Sequence, residues 1–334
     1  MRLPGSVVLW AGRLQMKRFL ALAFIAMLAP AAQAQSWPSQ PVHLIVPASP
    51  GSSLDVVARV LGEQLHARWK QAVVVESKPG AGGMLGMGAV AKAPADGLTL
   101  GVGFNGPVAI APLLYRRMAY DPANDLVPVV LTTSQPNVLA VAATHPANTV
   151  AEFVAWAKEQ DGKLLYASVG NGSSSHLTME LFKRVAGFAG THVPYRGSPE
   201  AALSVATGET HAIFTVEPAL LPLAQAGKLK LLAVTSKERM AYLKDLPTVA
   251  ESGYPEVVSL AWNGIFAPAG TPAAVVDQIN TDVNAALNEP LVRDALLKQG
   301  LLPGGQSSAE FRELIEQESL KWAPIIREAE IKLD

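Results

Sequence analysis

Short β-branched runs alternate with amphipathic helical stretches along most of this chain, and that alternation leaves few folds open. Runs suited to strands lie at 42–47, 72–76, 98–102, 127–132, 138–143, 163–167, 212–214, 229–235 and 262–267. Between the first two, Leu54, Val57, Ala58, Leu61, Leu65 and Trp69 recur at helical spacing and define one buried face. Helix ends are legible too. Thr149 and Glu152 form a capping box before FVAWAKEQ. Ser198-Pro199 opens a helix that Gly208 closes, and Thr271-Pro272 opens one that ends near Asn288. Ser307 and Glu310 cap a last helix of about twenty residues, with Pro324 a point where it would kink. Strands separated by helices require parallel or mixed sheets flanked by helices, an α/β architecture. No repeat, low-complexity tract or Gly/Ser linker marks a boundary. Two domains would therefore be joined by continuous strands.

At 334 residues the chain suits one to three domains. Hydrophobic residues make up 49% and charged residues 16%, which favours a large core over disorder. Lys+Arg total 27 against 28 Asp+Glu without a long basic run, so nucleic acid is not an expected partner. The lack of cysteine removes disulfides, thiolate metal sites and a cysteine nucleophile. No two of the six histidines are spaced four apart as on a zinc-binding helix, and no metal or cofactor is expected.

The N-terminus carries its own signal. Lys17 and Arg18 precede an apolar run at 19–28, and Ala32-Gln33-Ala34 fits an A-x-A cleavage site. That is the layout of a secretory signal peptide over 1–34, with cleavage near Ala34. The apolar run is too short to span a bilayer core of about 30 Å; a short membrane anchor is the competing reading. Met1 and Met16 both stand as candidate starts. A mature chain from Gln35 carries 23 basic and 28 acidic residues and is soluble and periplasmic on this reading.

Two polar loops attract attention next. After the first strand the chain reads VPASPGSSLDVVARVL, with Ser49, Gly51, Ser52 and Ser53 between the strand end at Pro47 and the helix. A helix N-terminus there offers free N–H groups and the positive dipole end to a carboxylate. An ordinary N-cap accounts for the serines equally, and Asp55 in the first turn simply complements the dipole. The second loop, YASVGNGSSSHLTMELF, crowds Ser168, Asn171, Gly172, Ser173, Ser174 and Ser175 ahead of an amphipathic helix. Two such loops on separate lobes suggest jaws around one ligand. His176 reads either as a base beside Ser173 or as an orienting hydrogen-bonding group in the first turn. No acid is visible to complete a triad, which favours the second reading. In THVPYRGSPEAA, Tyr195 is a candidate cleft wall, and Arg196 either pairs an anion or is solvated.

The glycines are less specific. GAGGMLGMG at 80–88 follows a strand, and Gly80, Gly82 and Gly83 either let backbone approach a ligand or make a tight turn. GVGFNG at 101–106 matches a dinucleotide fingerprint, but Pro107 follows and no βαβ helix opens there. GMGAVA at 86–91 places its glycines inside a helix instead of the turn before it. No phosphate loop and no G-x-S-x-G elbow occurs.

The ordered set WPSQPVHLIVPASPGSSLDVVAR, VVVESKPGAGG, ADGLTLGVG, SVGNGSSSHL, VPYRG, LAVTS, LPTVAESGYP and WNGIFAPAGTP resembles the Bug family. These are the extracytoplasmic solute receptors of tripartite tricarboxylate transporters, and the resemblance covers the whole chain. It implies a two-domain periplasmic-binding-protein fold of type II kind, with mixed sheets flanked by helices and a ligand cleft between the domains. It also implies that the loops at 49–55 and 168–176 grip one carboxylate through N–H groups, hydroxyls and waters. The turn at 80–83, with Gly82 and Gly83, Asn105 and the Tyr195 loop would line the rest. The chain departs from the family where an aromatic, a proline and paired glycines usually stand in place of Ala48, Ser49, Gly51 and Ser52. Met84 replaces a common Asn, and Thr215 a common Asp. The last change weakens recognition of an ammonium group and leaves Asp55 and Glu217 as acids for one.

The expectation is thus a monomeric receptor, without catalysis, that carries a small organic acid to membrane transporter subunits. Residues 35–135 plus 262–334 would form one domain and 136–261 an inserted one. The rivals are a secreted α/β hydrolase using Ser173 and His176, and a solute sensor that uses the same cleft.

Overall fold

In the computed structural model, which describes residues 37–240, 242–328 and 331, strands form at all nine anticipated places and two short ones join them. The strands are β1 (Val42–Val46), β2 (Val73–Ser77), β3 (Thr99–Phe104), β4 (Leu126–Pro136), β5 (Val138–Ala142), β6 (Leu165–Ser168), β7 (Thr191–Pro194), β8 (Ala212–Thr215), β9 (Leu229–Val234), β10 (Leu260–Pro268) and β11 (Leu302–Pro303). The longer helices are α1 (Ser53–Trp69), α2 (Met84–Ala91), α3 (Val150–Glu159), α4 (Ser174–Ala186), α5 (Ser198–Ala206), α6 (Glu217–Gln225), α7 (Ala273–Asn288), α8 (Pro290–Leu297) and α9 (Ser308–Glu328). Residues from Gln40 onward form one unit. The expected signal segment and its cleavage point lie outside the described residues.

The strands make two mixed sheets, ordered β11-β4-β10-β3-β1-β2 and β7-β6-β8-β5-β9. In each, three parallel strands (β2-β1-β3 and β7-β6-β8) meet an antiparallel neighbour, β10 in the first sheet and β5 in the second. The chain passes from the first sheet to the second between Pro136 and Val138, and returns between Val234 and Leu260. Both passages are tied together. The Asn137 N–H donates to Thr235 Oγ1 at 2.9 Å, and Thr235 Oγ1 donates to the Ser259 carbonyl at 2.7 Å.

The second sheet is buried on both faces, and the two-residue period of its strands decides which side chain goes where. On β5, Leu139 and Val141 join the larger core with Phe153, Phe182 and Phe214, while Val138 and Ala140 pack against Ala201, Val205 and Leu220. Helices on both sides of a sheet explain why β5 reads as a continuous apolar run.

Three local expectations change. The last helix runs unbroken through Pro324, because Phe311, Trp322 and Ile326 are buried along it and packing overrides the local proline penalty. In the capping box of α3, Thr149 Oγ1 accepts from the Glu152 N–H at 3.1 Å, but the Glu152 carboxylate returns to the N–H of Asn148. After the GVGFNG run a short helix does open, a π-turn at Gly106–Ile110 followed by Ala111–Leu114. It has no glycine-rich phosphate turn before it, so the dinucleotide reading stays excluded.

Candidate functional site

Four helix N-termini, two from expected loops and two from elsewhere, converge on one cavity between the sheets. It is lined by Ser52, Ser53 and Leu54 at the start of α1, Ser174 and Ser175 at the start of α4, Gly197 and Ser198 at the start of α5, and Thr215 and Val216 just before α6. First-turn amides have no intrahelical acceptor, so each terminus presents N–H groups and a partial positive charge. The remaining wall comes from Pro47, Ala48, Phe104, Asn105, Asn137, Val169, Arg196, Ala261, Trp262 and Asn263. Arg196 is the one charged residue in this lining, and no acid is among them. The cavity is small, about 40 Å³, roughly the room that three waters occupy.

Local chemistry fixes the serines. Ser52 caps α1, its Oγ facing the Asp55 N–H at 3.4 Å. Ser173 caps α4: its Oγ accepts the His176 N–H at 3.2 Å and donates to the Gly170 carbonyl at 2.7 Å. Ser175 donates to the Phe214 carbonyl, which ties the start of α4 to the end of β8. Asn105 differs. It is 1% exposed, and neither its amide nitrogen nor its amide oxygen has a partner in the protein. A buried amide with both ends unmet is costly, by about 1–3 kcal/mol for each group.

Of the residues singled out from sequence, Ser52, Ser53, Asn105, Ser174, Ser175, Arg196 and Thr215 are among the lining residues. Ser49 is turned across the gap, with its Oγ donating to Glu200 Oε1 at 2.5 Å. Asp55 folds back on its own loop, accepting from the Gly51 N–H at 2.9 Å and from Arg59 Nε at 3.0 Å. That arrangement neutralises it, so it is not free to meet an ammonium group. Gly82 and Gly83, at φ +62° and +90°, are not among the lining residues: a Cβ on Gly82 would stand 2.8 Å from the Asn171 carbonyl oxygen of the opposite lobe, and one on Gly83 would stand 2.6 Å from the Phe104 ring of its own lobe. Ser168, Ser173 and His176 hold the second loop through hydrogen bonds to Gly170 and Gly172, while Asn171 and Gly172 face Gly82 and Leu114 of the other lobe. Tyr195 packs against the apolar cluster of β5, α5 and α6. Asn137, Asn263 and the α5 terminus were missed. Of these only the α5 terminus carried a signal, the Gly197-Ser198-Pro199 turn.

The hydrolase reading gives way here. Ser173 is fully buried, its hydroxyl is committed to the Gly170 carbonyl, and His176 Nδ1 accepts from the Gly172 N–H at 3.2 Å.

Glu217 marks a second meeting of the lobes. It is 2% exposed, and burial pushes its carboxyl up to about 7, with the Tyr242 hydroxyl opposing. Tyr242 Oη lies 3.1 Å from Glu217 Oε1 and 3.2 Å from the Gly300 carbonyl oxygen. One hydroxyl proton cannot serve both acceptors, whereas a protonated Glu217 donates to Tyr242 and frees it for Gly300. A raised carboxyl makes the folded protein hold a proton that the unfolded chain releases. Stability should then fall as pH rises from the ordinary carboxylate range through about 7. Glu217→Gln should remove that slope and stabilise the protein at pH 8 by about 2 kcal/mol. Urea unfolding at pH 5 and pH 8 checks it, and an unchanged slope would contradict it.

Comparisons with known proteins identify the family. Residues 57–331 match the model of the tripartite tricarboxylate transporter family receptor. The chain belongs to this family. Among its relatives is the protein BugT of Bordetella pertussis, 35% identical over 325 residues, covering 96% of this chain and 100% of that one. A solved R. palustris protein, determined with adipate, is 36% identical with a TM-score of 0.86, over 89% of this chain and 99% of that one. The malate-bound MatC of Rhodopseudomonas palustris is 30% identical with a TM-score of 0.83, over 87% of this receptor and 100% of that chain. The receptor therefore has the two-domain periplasmic-binding-protein fold, and its family consists of solute-binding proteins and not enzymes.

Proposed function

We propose that this receptor captures a small carboxylated organic solute between its two lobes and delivers it to a tripartite tricarboxylate-type membrane transporter. The observation that carries the reading is the convergence of four helix N-termini on a lining without a single acid. One carboxylate gains up to about 2 kcal/mol from each dipole in a partly buried geometry. Charge-assisted bonds from the amides add about 1.5–3 kcal/mol each before ordering costs. Arg196 contributes at the mouth. The likeness to proteins solved with adipate and with malate supports an organic acid as the ligand class.

On this reading 35–135 plus 262–334 form one domain and 136–261 the inserted one, with the passages at Asn137 and at 235–259 as hinges. The protein works as a periplasmic monomer after removal of residues 1–34. N-terminal sequencing of the exported protein should begin at Gln35. A start elsewhere in the segment would move the cleavage point, and an intact N-terminus would contradict export by cleavage.

A thermal-shift screen of organic acids, adipate and malate included, tests the ligand class. An acid at 100 times its dissociation constant stabilises by about 2.7 kcal/mol, and it should be recovered chemically unchanged. No stabilisation by any carboxylate would defeat the reading. Asn105 gives a finer test, since the ligand must meet its free amide. Asn105→Leu should weaken the best acid about tenfold in titration calorimetry. Unchanged affinity would mean that the Asn105 amide stays unmet in the complex.

A further inference from the structure

Behind the second ligand loop, two imidazoles lie face to face. The ring of His176 in the first turn of α4 stacks on that of His192 on β7, with centroids 3.8 Å apart and planes inclined by 8°. Tyr166 of β6 flanks the pair, its ring centroid 5.1 Å from that of His192 and 6.3 Å from that of His176. Neither imidazole lines the cavity. Each holds a different end of the loop instead. His176 Nδ1 accepts the Gly172 N–H at 3.2 Å, while His192 Nε2 sits 2.5 Å from Ser168 Oγ. The same Ser168 oxygen accepts the Gly170 N–H at 3.1 Å. Between these anchors Gly170 and Gly172 adopt φ of +122° and +73°, so this segment has no regular structure to hold it.

We propose that the stacked His176–His192 pair is a positioning device that holds the 168–173 loop in the form in which the α4 amides receive a carboxylate. The proposal rests on the binding function above. It requires both rings to be neutral, because a protonated Nδ1 has no lone pair for Gly172 and two stacked cations repel. The groups that face the pair favour that state. Glu180 Oε1 is 4.0 Å from His176 Nε2, but it is already engaged by the Tyr166 hydroxyl and by Lys183 Nζ at 2.8 Å. Lys183 Nζ in turn stands 5.2 Å over the Tyr166 ring. Burial lowers His176 to about 4, with Lys183 adding to it. Burial, with His176 next and Lys183 last, lowers His192 to about 3 against a smaller opposing effect of Glu180. The anchors thus hold at neutral pH and fail only in acid.

Amide hydrogen exchange of the mature chain, normalised to the intrinsic rate at each pH, tests this without needing a ligand. His176→Phe keeps the stacked ring and removes the acceptor, and should cost the Gly172 amide at least tenfold in protection. His176→Asn places an oxygen near the position of Nδ1 and should restore it. The native loop should lose protection between pH 5 and pH 4, and the Asn variant should not. His192→Phe and His192→Gln form the parallel pair at Gly170, which also covers the case in which a Phe variant at 176 does not fold. Native protection in both Phe variants, or Asn and Gln variants as labile as Phe, would overturn the proposal. Adipate and malate titrations of the same variants report on the binding function separately. If no variant and no native protein binds either acid while exchange behaves as stated, it is the choice of ligand class that fails.

Discussion

Gly170→Ala should abolish tight ligand capture while leaving both lobes folded. Gly170 sits at φ +122°, and a Cβ built on it stands 2.8 Å from the Gly82 Cα of the opposite lobe. That neighbour is backbone and cannot swing aside, so the lobes must part for the methyl group to fit. The strain of an alanine at this backbone angle costs about 1–3 kcal/mol in any state. Loss of closure is a separate and larger effect on binding, because the N-termini of α1 and α4 then no longer share one anion. Affinity for the best carboxylate should drop at least 100-fold, equivalent to about 2.7 kcal/mol. Gly82→Ala approaches the same contact from the other lobe, where the Cβ would lie 2.8 Å from the Asn171 carbonyl oxygen, and should behave alike. Titration calorimetry measures the loss, and small-angle scattering should show no ligand-induced compaction in either variant. Native affinity in both would mean that the two glycine turns do not meet in the bound state.

Much of the fold was legible because strand and helix periods leave different traces. The run VHLIV sits on one central strand flanked by parallel neighbours, and LDVVARVLGEQLHARW turns a single face inward. β7 was missed for a physical reason. It is an edge strand, THVP, which ends in proline and carries a histidine whose ring is used in stacking. The two-residue β11 is too short to show a period.

The site was legible only in part. The serines at the starts of α1 and α4 announce themselves as caps. The α5 and α6 termini have Gly197 and Val216 at the capping position, where no side chain bonds to the helix; Ser198-Pro199 marks where α5 starts, but no residue type there marks its amides as part of a binding site. Asn137 and Asn263 are isolated amides in or between strands, and a lone asparagine carries no pattern. Ser49, Asp55 and the turn at 80–83 were assigned to the ligand from the family resemblance and from the helix N-terminus that follows the first loop. In space they meet Glu200, Arg59 and Asn171. Proximity along the chain cannot tell a residue that faces the ligand from one that faces the opposite lobe.

The central claim is that helix N-termini select for negative charge, and an acid compared with its neutral amide isolates that property. Adipate and adipamide share length and shape but differ in charge. Titration calorimetry of the mature protein should be run with both, and likewise with malate and its diamide, at low and at moderate salt. The cavity is buried, so salt should change the difference little. For the acid that the receptor binds best, four dipole ends and an acid-free lining predict at least 100-fold weaker binding of the amide, about 2.7 kcal/mol. Equal affinity for acid and amide would contradict the account, because it would show that the converging helices do not read charge.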